Sequence, residues 1–395
     1  MMTQQTKSVR TIGSGALFSL LLIPTLSTVG VGALSPVLSQ ISDHFRDTPG
    51  ADIVVRSLVT SLGGAMMVGA SAAGFLAERF GERQILLWSL LLFAVFGMAG
   101  MFLDDPWTLL LSRVGVGLAI GAAGVMAITL ISNGVSDDGR HRWLGFYSVA
   151  GTVGAVAVMP VAGLLGAISW RLIFPLHLLA LPMLALCALL IGKTSKASRA
   201  AATQGKGSAF PIGMLMLGLA CGMVISTVPA YLPFHFREFG EHRPDRIAAA
   251  ITASVAAAGV VSLAYGWIRR HLGAADVFAL GFLAMGLGLS VVAWGRSVES
   301  AVVGMSLSGI GIGLLGPNIF AVAANAEPER RARRVGMARA GFFGAPLLAQ
   351  LPLEPVAITH GADGVLFVLA AFAMTMIVVV MLGRRSLAAA PAQHA

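Results

Sequence analysis

The run QILLWSLLLFAVFGMAGMFL at residues 84–103 holds no charged residue and is fenced by Arg83 on one side and Asp104 on the other. Twenty residues of α-helix are about 30 Å long, the thickness of a bilayer's hydrocarbon core. In lipid no water satisfies the amide groups, so such a run must bond within itself as a helix. The same rhythm repeats outward in both directions. Spans are expected at roughly 14–40, 54–77, 84–103, 107–133, 143–167, 171–192, 210–235, 247–268, 276–295, 300–325, 335–353 and 364–383. The expected fold class is therefore an all-α membrane protein with twelve transmembrane helices.

Composition supports this and excludes much else. Only 11 % of the 395 residues are charged, 56 % are hydrophobic, and the mean hydropathy is +0.84. A soluble domain carries about 25 % charged residues. The 48 glycines suit membrane helices, where small residues let backbones approach closely. The net charge of +9 does not imply nucleic-acid binding, because the basic residues sit in short interspan gaps and form no single patch. Cys187 and Cys221 both fall in apolar runs, so neither a disulfide framework nor a metal-type spacing is present. No cofactor and no metal are expected. Lys7 and Arg10 precede a first span too long for a signal peptide's apolar core, so that span is expected to be retained.

The interspan gaps alternate between two sides of the membrane. The side holding both termini carries eighteen Lys and Arg, the other side seven. The positive-inside rule then places both termini in the cytoplasm, in a bacterial inner membrane. Residues 193–209 are small, polar and basic and read as a cytoplasmic linker. The linker divides the chain into an N-terminal bundle, 1–192, and a C-terminal bundle, 210–395, each of six spans.

The two halves resemble each other. Gly74 and Gly81 recur as Gly266 and Gly273, and Gly117 and Gly121 recur as Gly309 and Gly313, all at an offset of 192 residues. Pro36 recurs as Pro229 at 193. A near-constant offset across separate places indicates duplication, and two repeats facing each other leave a cavity between them.

Between spans two and three lies Gly74-Phe75-Leu76-Ala77-Glu78-Arg79-Phe80-Gly81-Glu82-Arg83. Its glycines permit a tight turn, and Glu78 with Arg79 and Arg83 can form an ion-pair network at the membrane surface. The segment resembles the loop signature of the major facilitator superfamily, in which this network is a conformational latch. Glu78 stands where the family more often has aspartate. Arg113 with Gly117 in span four resembles the family's second signature. Gly151, Gly154, Pro160 and Gly163 in span five are similar to the helix-packing signature of the twelve-helix drug/proton antiporter branch. The resemblance implies two pseudo-symmetric six-helix bundles and solute transport by alternating access.

Ionisable residues within spans are functional candidates by default. Arg113, Arg339 and His177 are the ones found. Asp276 and Glu354 are placed at span ends, and no acid is placed well inside a span. Arg113 either braces span four or faces a cavity and attracts an anion. Arg339 either snorkels to the cytoplasm or faces that cavity, and His177 either packs or titrates. Asn133, Tyr147, Tyr231, Asn318 and Gln350 lie at depths suited to a pathway, as do Thr25, Ser27 and Thr28. Interior arginines without acids favour an anionic or neutral solute over a cation.

The expected function is a secondary active transporter of a small organic solute: a proton-coupled efflux carrier, or alternatively an organic-anion uptake or exchange carrier. No phosphate-binding glycine loop marks an ATP-driven pump, and no catalytic cluster marks an intramembrane enzyme. The expected partners are the solute, the lipid bilayer and protons, with the chain a monomer that binds no nucleic acid.

Overall fold

Each long apolar run forms helix, and proline or glycine decides where it bends. The computed structural model describes residues 13–135, 137–192, 212–324 and 328–384. The expected linker at 193–209 and the residues before 13 lie outside the described residues. The first ten spans are α1 (Ser14–His44), α2 (Ala51–Phe80), α3 (Glu82–Ala99), α4 (Pro106–Gly134), α5 (Asp137–Ile168), α6 (Trp170–Leu190), α7 (Ile212–Glu238), α8 (Pro244–His271), α9 (Ala274–Trp294) and α10 (Val298–Ala324).

The last helical stretch, Pro328–Leu382, is 55 residues long. Drawn straight it would reach about 80 Å, more than twice a bilayer core. It breaks at Gly361, whose φ of 68° and ψ of −168° are non-helical. The arm before Gly361 is α11 and the arm after it α12. The eleven long apolar helices among the described residues thus give the twelve expected spans.

Two helices are discontinuous at matching places in the two halves. In α1 the regular helix stops at Leu22 before Pro24, widens to a π turn at Thr28–Gly32 and tightens to a 3₁₀ turn at Ser35–Val37 around Pro36. In α7 it breaks at Thr227, two residues before Pro229. Proline removes a backbone donor and crowds the preceding turn, so each break follows from its proline. The Ser35 hydroxyl donates to the Pro229 carbonyl, so the two breaks touch.

The internal repeat is visible in how glycines seat helices. A Cβ at Gly121 would overlap the Met66 carbonyl, and one at Gly313 would overlap the Ala258 carbonyl. Gly117 meets Leu62 and Gly309 meets Ser254 in the same way. Each partner pair is again 192 residues apart, so α4 lies on α2 as α10 lies on α8. The halves meet along α5 against α8 and α2 against α11. Gly163 contributes to the first seam, since a side chain there would collide with Asp245 and Ala248.

Candidate functional site

The α2–α11 seam runs as a ladder. Arg56 and Thr60 lie four residues apart on α2, and Gln350 and Glu354 four apart on α11, so each pair shares one helix face. Arg56 binds Glu354 with both Nε and Nη2, the Nε contact being 3.2 Å. Thr60 Oγ1 donates to Gln350 Oε1 at 2.9 Å, and Gln350 Nε2 donates to Ser57 at 2.7 Å. One turn further along, Gly63 lets α2 close on the Phe343 carbonyl, and Gly64 receives Leu347. Asp43 on α1 also pairs with Arg237 on α7 at 2.9 Å, and the ring of Phe234 lies between the guanidiniums of Arg56 and Arg237. These contacts seal the halves at the face opposite the chain termini. Above the seal is a cavity of about 630 Å³, lined by Asp43, Arg56, Tyr231, Phe234, Arg237 and Glu354 among others.

Beyond Phe343, toward the termini face, α11 carries Arg339. Arg339 on α11 is exposed, its guanidinium 5.9 Å from the Phe320 ring of α10. No described carboxylate pairs with it. Tyr147 on α5 of the other half turns its hydroxyl toward Gly124 and lies within electrostatic range of Arg339. The Phe342 ring lies tilted beside Phe320, their centroids 5.7 Å apart. A cation, a phenol and two aromatic rings contributed by the two halves therefore lie near one another at this level.

Other candidates are engaged within their own half. Arg113 is fully buried in the N-terminal half, where it donates to His177 Nε2 and to the carbonyls of Phe96 and Gly97, each at 3.2 Å. Its guanidinium lies 5.1 Å from the Phe174 ring. This is the bracing alternative, not the cavity-facing one. Asn318 donates to the Ala274 carbonyl and accepts from Tyr265, inside the C-terminal half. Asn133 donates to Glu82 at 2.9 Å, and Gln350 belongs to the ladder. Tyr231 is 1 % exposed, and its hydroxyl has no hydrogen-bond partner among the described residues. In α5, Gly151 and Gly154 seat Pro24 and Thr25 of α1, while Pro160 stays within an unbroken helix.

The loop motif is built differently from the expected ion-pair network. Glu78 is exposed and pairs with no described residue, and Arg79 lies over Phe80. Arg83 donates to the Ala188 and Ile191 carbonyls, both at 2.7 Å, and so closes the end of α6. Glu82 is the motif acid that is held, by Asn133 of α4. Gly81 has a φ of 89°, which lets α3 start one residue after α2 ends, and a Cβ on Gly74 would meet nothing within 4 Å.

The placing of every acid at a span end also needs correction. Glu354 lies two turns before the Gly361 break, with its side chain 12 % exposed. Its partner Arg56 is 298 positions away in sequence. The available signal was the matched four-residue spacing of Arg56 with Thr60 and Gln350 with Glu354. A second missed cluster joins His235 and Glu238 of α7 to Asp363 of α12, with ligand-type atoms within 4.8 Å of one another. Arg296 pairs with Asp363 at 2.6 Å, and Glu238 accepts the Ala362 amide at 2.6 Å beside the Gly361 break.

Twelve membrane helices in two repeats, joined by a ladder of polar contacts at one face, define a polytopic membrane protein. The sequence profile of the Major Facilitator Superfamily matches residues 20–242, more than half of the chain, which therefore belongs to that family of membrane transporters. The class E tetracycline resistance protein of Escherichia coli is 25 % identical over 69 % of this chain and 71 % of its own. The class C protein of Escherichia coli is 32 % identical over 40 % of this chain, and the class H protein of Pasteurella multocida is 28 % identical over 39 %. The matched segments span 39 % and 38 % of those two relatives. A D-xylose-proton symporter structure superposes with a TM-score of 0.75, 15 % identity and coverage of 93 % of this chain and 95 % of that one. The inward open xylose transporter XylE from E. coli gives 0.73 at 14 % identity, covering 92 % and 95 %. At these identities the structural likeness concerns the fold alone.

Proposed function

We propose that this transporter exports an amphipathic, acceptor-rich organic solute by alternating access, with proton coupling. The observation that carries the reading is the contrast along α2 and α11. The ladder from Arg56–Glu354 to Gly63–Phe343 closes one face, while at the other Arg339 stands exposed and Tyr147 is half-buried across from it. Eighteen basic residues against seven assign the termini face, and so the open side, to the cytoplasm. Solute then enters between Arg339, Tyr147, Phe320 and Phe342 from inside the cell. The rings supply apolar area, and the guanidinium supplies a charge for an oxyanion or enolate. The likeness to tetracycline resistance proteins supports export of such a compound. On this reading the two six-helix bundles, 1–192 and 210–395, rock about the seam in a monomer, joined by the linker at 193–209, in a bacterial inner membrane.

The unpaired Arg339 also suits a second reading, uptake or exchange of small organic anions. Proteoliposomes with an imposed pH gradient separate the two. Export predicts proton-driven flux of tetracycline-like amphiphiles in everted vesicles, reduced by Arg339→Gln. Flux of simple carboxylates alone would favour the second reading. No gradient-dependent flux of either class would overturn both.

A further inference from the structure

We propose that His235, Glu238 and Asp363 form a binding site for one divalent transition-metal ion, with Zn²⁺ as its type, which ties the end of α7 to the start of α12 across the Gly361 break. His235 and Glu238 lie three apart on α7 and so share one helix face. Asp363 stands two residues past Gly361. The three side chains bring one ligand-type atom each to within 4.8 Å of one another, and they are the one such group among the described residues. Tetrahedral zinc with ligands at about 2.1 Å sets those atoms about 3.4 Å apart, so small side-chain rotations suffice.

Each carboxylate is anchored through one oxygen, as metal ligands commonly are. Arg296 binds Asp363 Oδ2 at 2.6 Å, while Oδ1 faces His235 Nδ1. The Ala362 amide donates to Glu238 Oε1 at 2.6 Å, while Oε2 has only a long contact of 3.4 Å with the Asp363 amide. The break itself makes room for this, because a Cβ on Gly361 would collide with Glu238 Oε1. His235 is fully buried, and the rings of Phe236 and Phe239 stand edge-on to its imidazole, so its position is fixed by packing.

The charges call for a cation. Two carboxylates share this space, and Arg296 is the one described residue of permanent positive charge that pairs with either. A divalent ion supplies the missing charge and displaces the proton held between His235 and Asp363, which leaves to solvent. Entry is open, since Glu238 is exposed and lines the cavity of about 630 Å³ together with Gly361 and Ala362. The remaining coordination position is left to water from that cavity. One imidazole nitrogen with two carboxylates suits zinc, cobalt or manganese better than calcium or magnesium, which favour all-oxygen shells. All the residues involved belong to the C-terminal half, so the inference stands apart from the transport reading.

The test is calorimetric titration of Zn²⁺ into the full-length protein in detergent, stripped of metal by a chelator and carrying no histidine tag. The expected result is one site per chain at micromolar or tighter affinity, with a rise in melting temperature by mass action. Hydrogen exchange should slow at residues 235–239 and 361–365. Mg²⁺ at the same concentration should produce neither effect. Glu238→Gln keeps an acceptor for the Ala362 amide and loses the ligand charge, so its Zn²⁺ affinity should fall at least about tenfold. Asp363→Asn should behave alike, and Glu238→Gln carries the test alone if that variant folds poorly. His242 is exposed on the turn after α7, and His242→Gln should bind Zn²⁺ as wild type does. No binding at micromolar Zn²⁺, a site that survives Glu238→Gln unchanged, or a site lost in His242→Gln would overturn the proposal.

Discussion

Arg113 donates a hydrogen bond to Nε2 of His177 across 3.2 Å, and His177 Nδ1 donates in turn to the Phe174 carbonyl at 2.9 Å. That chain of donors fixes His177 as the neutral Nδ1–H tautomer, because a protonated ring has no lone pair for the guanidinium. Arg113 is thus a buried cation satisfied by an imidazole and two carbonyls. No described carboxylate reaches it.

The stability consequences are asymmetric. His177→Leu takes an acceptor from a buried guanidinium and is expected to cost about 1–3 kcal/mol. Arg113→Met removes a charge that is expensive to bury but takes the donor from an imidazole nitrogen and two carbonyls, so its melting temperature should fall by less than that of the Leu variant. Thermal unfolding in detergent, read for both variants, checks this. A Met variant that unfolds as readily as the Leu variant would show that the charge itself holds the half together.

Close backbone approach makes a sharper contrast. At Gly121 an added methyl meets the Met66 backbone, which cannot swing aside, whereas at Gly74 it meets open space. Gly121→Ala and its repeat counterpart Gly313→Ala should each lose about 1–3 kcal/mol from forced separation of the helices. Gly74→Ala should change stability by no more than about 0.5 kcal/mol. Melting temperatures of the three single variants decide the point.

The loop between α2 and α3 divides the same way. Arg83 satisfies two carbonyls at the C-terminal end of α6, where a cation also meets the negative end of the helix dipole. Arg83→Ala is expected to cost about 1–2 kcal/mol and to raise hydrogen exchange at the end of α6. Glu78→Ala, at an exposed position that pairs with no described residue, should leave that exchange unchanged.

The glycine repeat was legible because it is local. Each half carries its own Gly117–Gly121 or Gly309–Gly313 spacing, and the spacing alone dictates which helix can press close. The breaks in α1 and α7 fall beside Pro36 and Pro229, the prolines that the repeat pairs. Glu354 was misplaced because hydropathy marks where an apolar run ends, not where a helix ends. α11 continues past its last apolar stretch to Gly361 and carries Glu354 into the seam. Whether Arg113 faced a cavity or a neighbour depended on His177, 64 residues away and held in an unusually long 3₁₀ turn, Trp170–Leu179. No sequence period announces such a pairing.

Arg339 and Tyr147 offer the most direct test of solute chemistry. They stand on opposite halves, within electrostatic range of each other, beside Phe320 and Phe342. A hydrogen bond from a charged donor contributes about 1.5–3 kcal/mol, so Arg339→Gln should raise the KM for an anionic solute by roughly 10- to 100-fold. Arg339→Lys should recover part of that loss, because it keeps the charge and forfeits the planar fork. Tyr147→Phe retains the ring and loses one neutral hydrogen bond, so about a 5-fold rise is expected. Flux measured in proteoliposomes at saturating solute separates binding from turnover. If Arg339→Gln lowers maximal flux while KM stays constant, Arg339 acts in the conformational cycle and not in holding the solute.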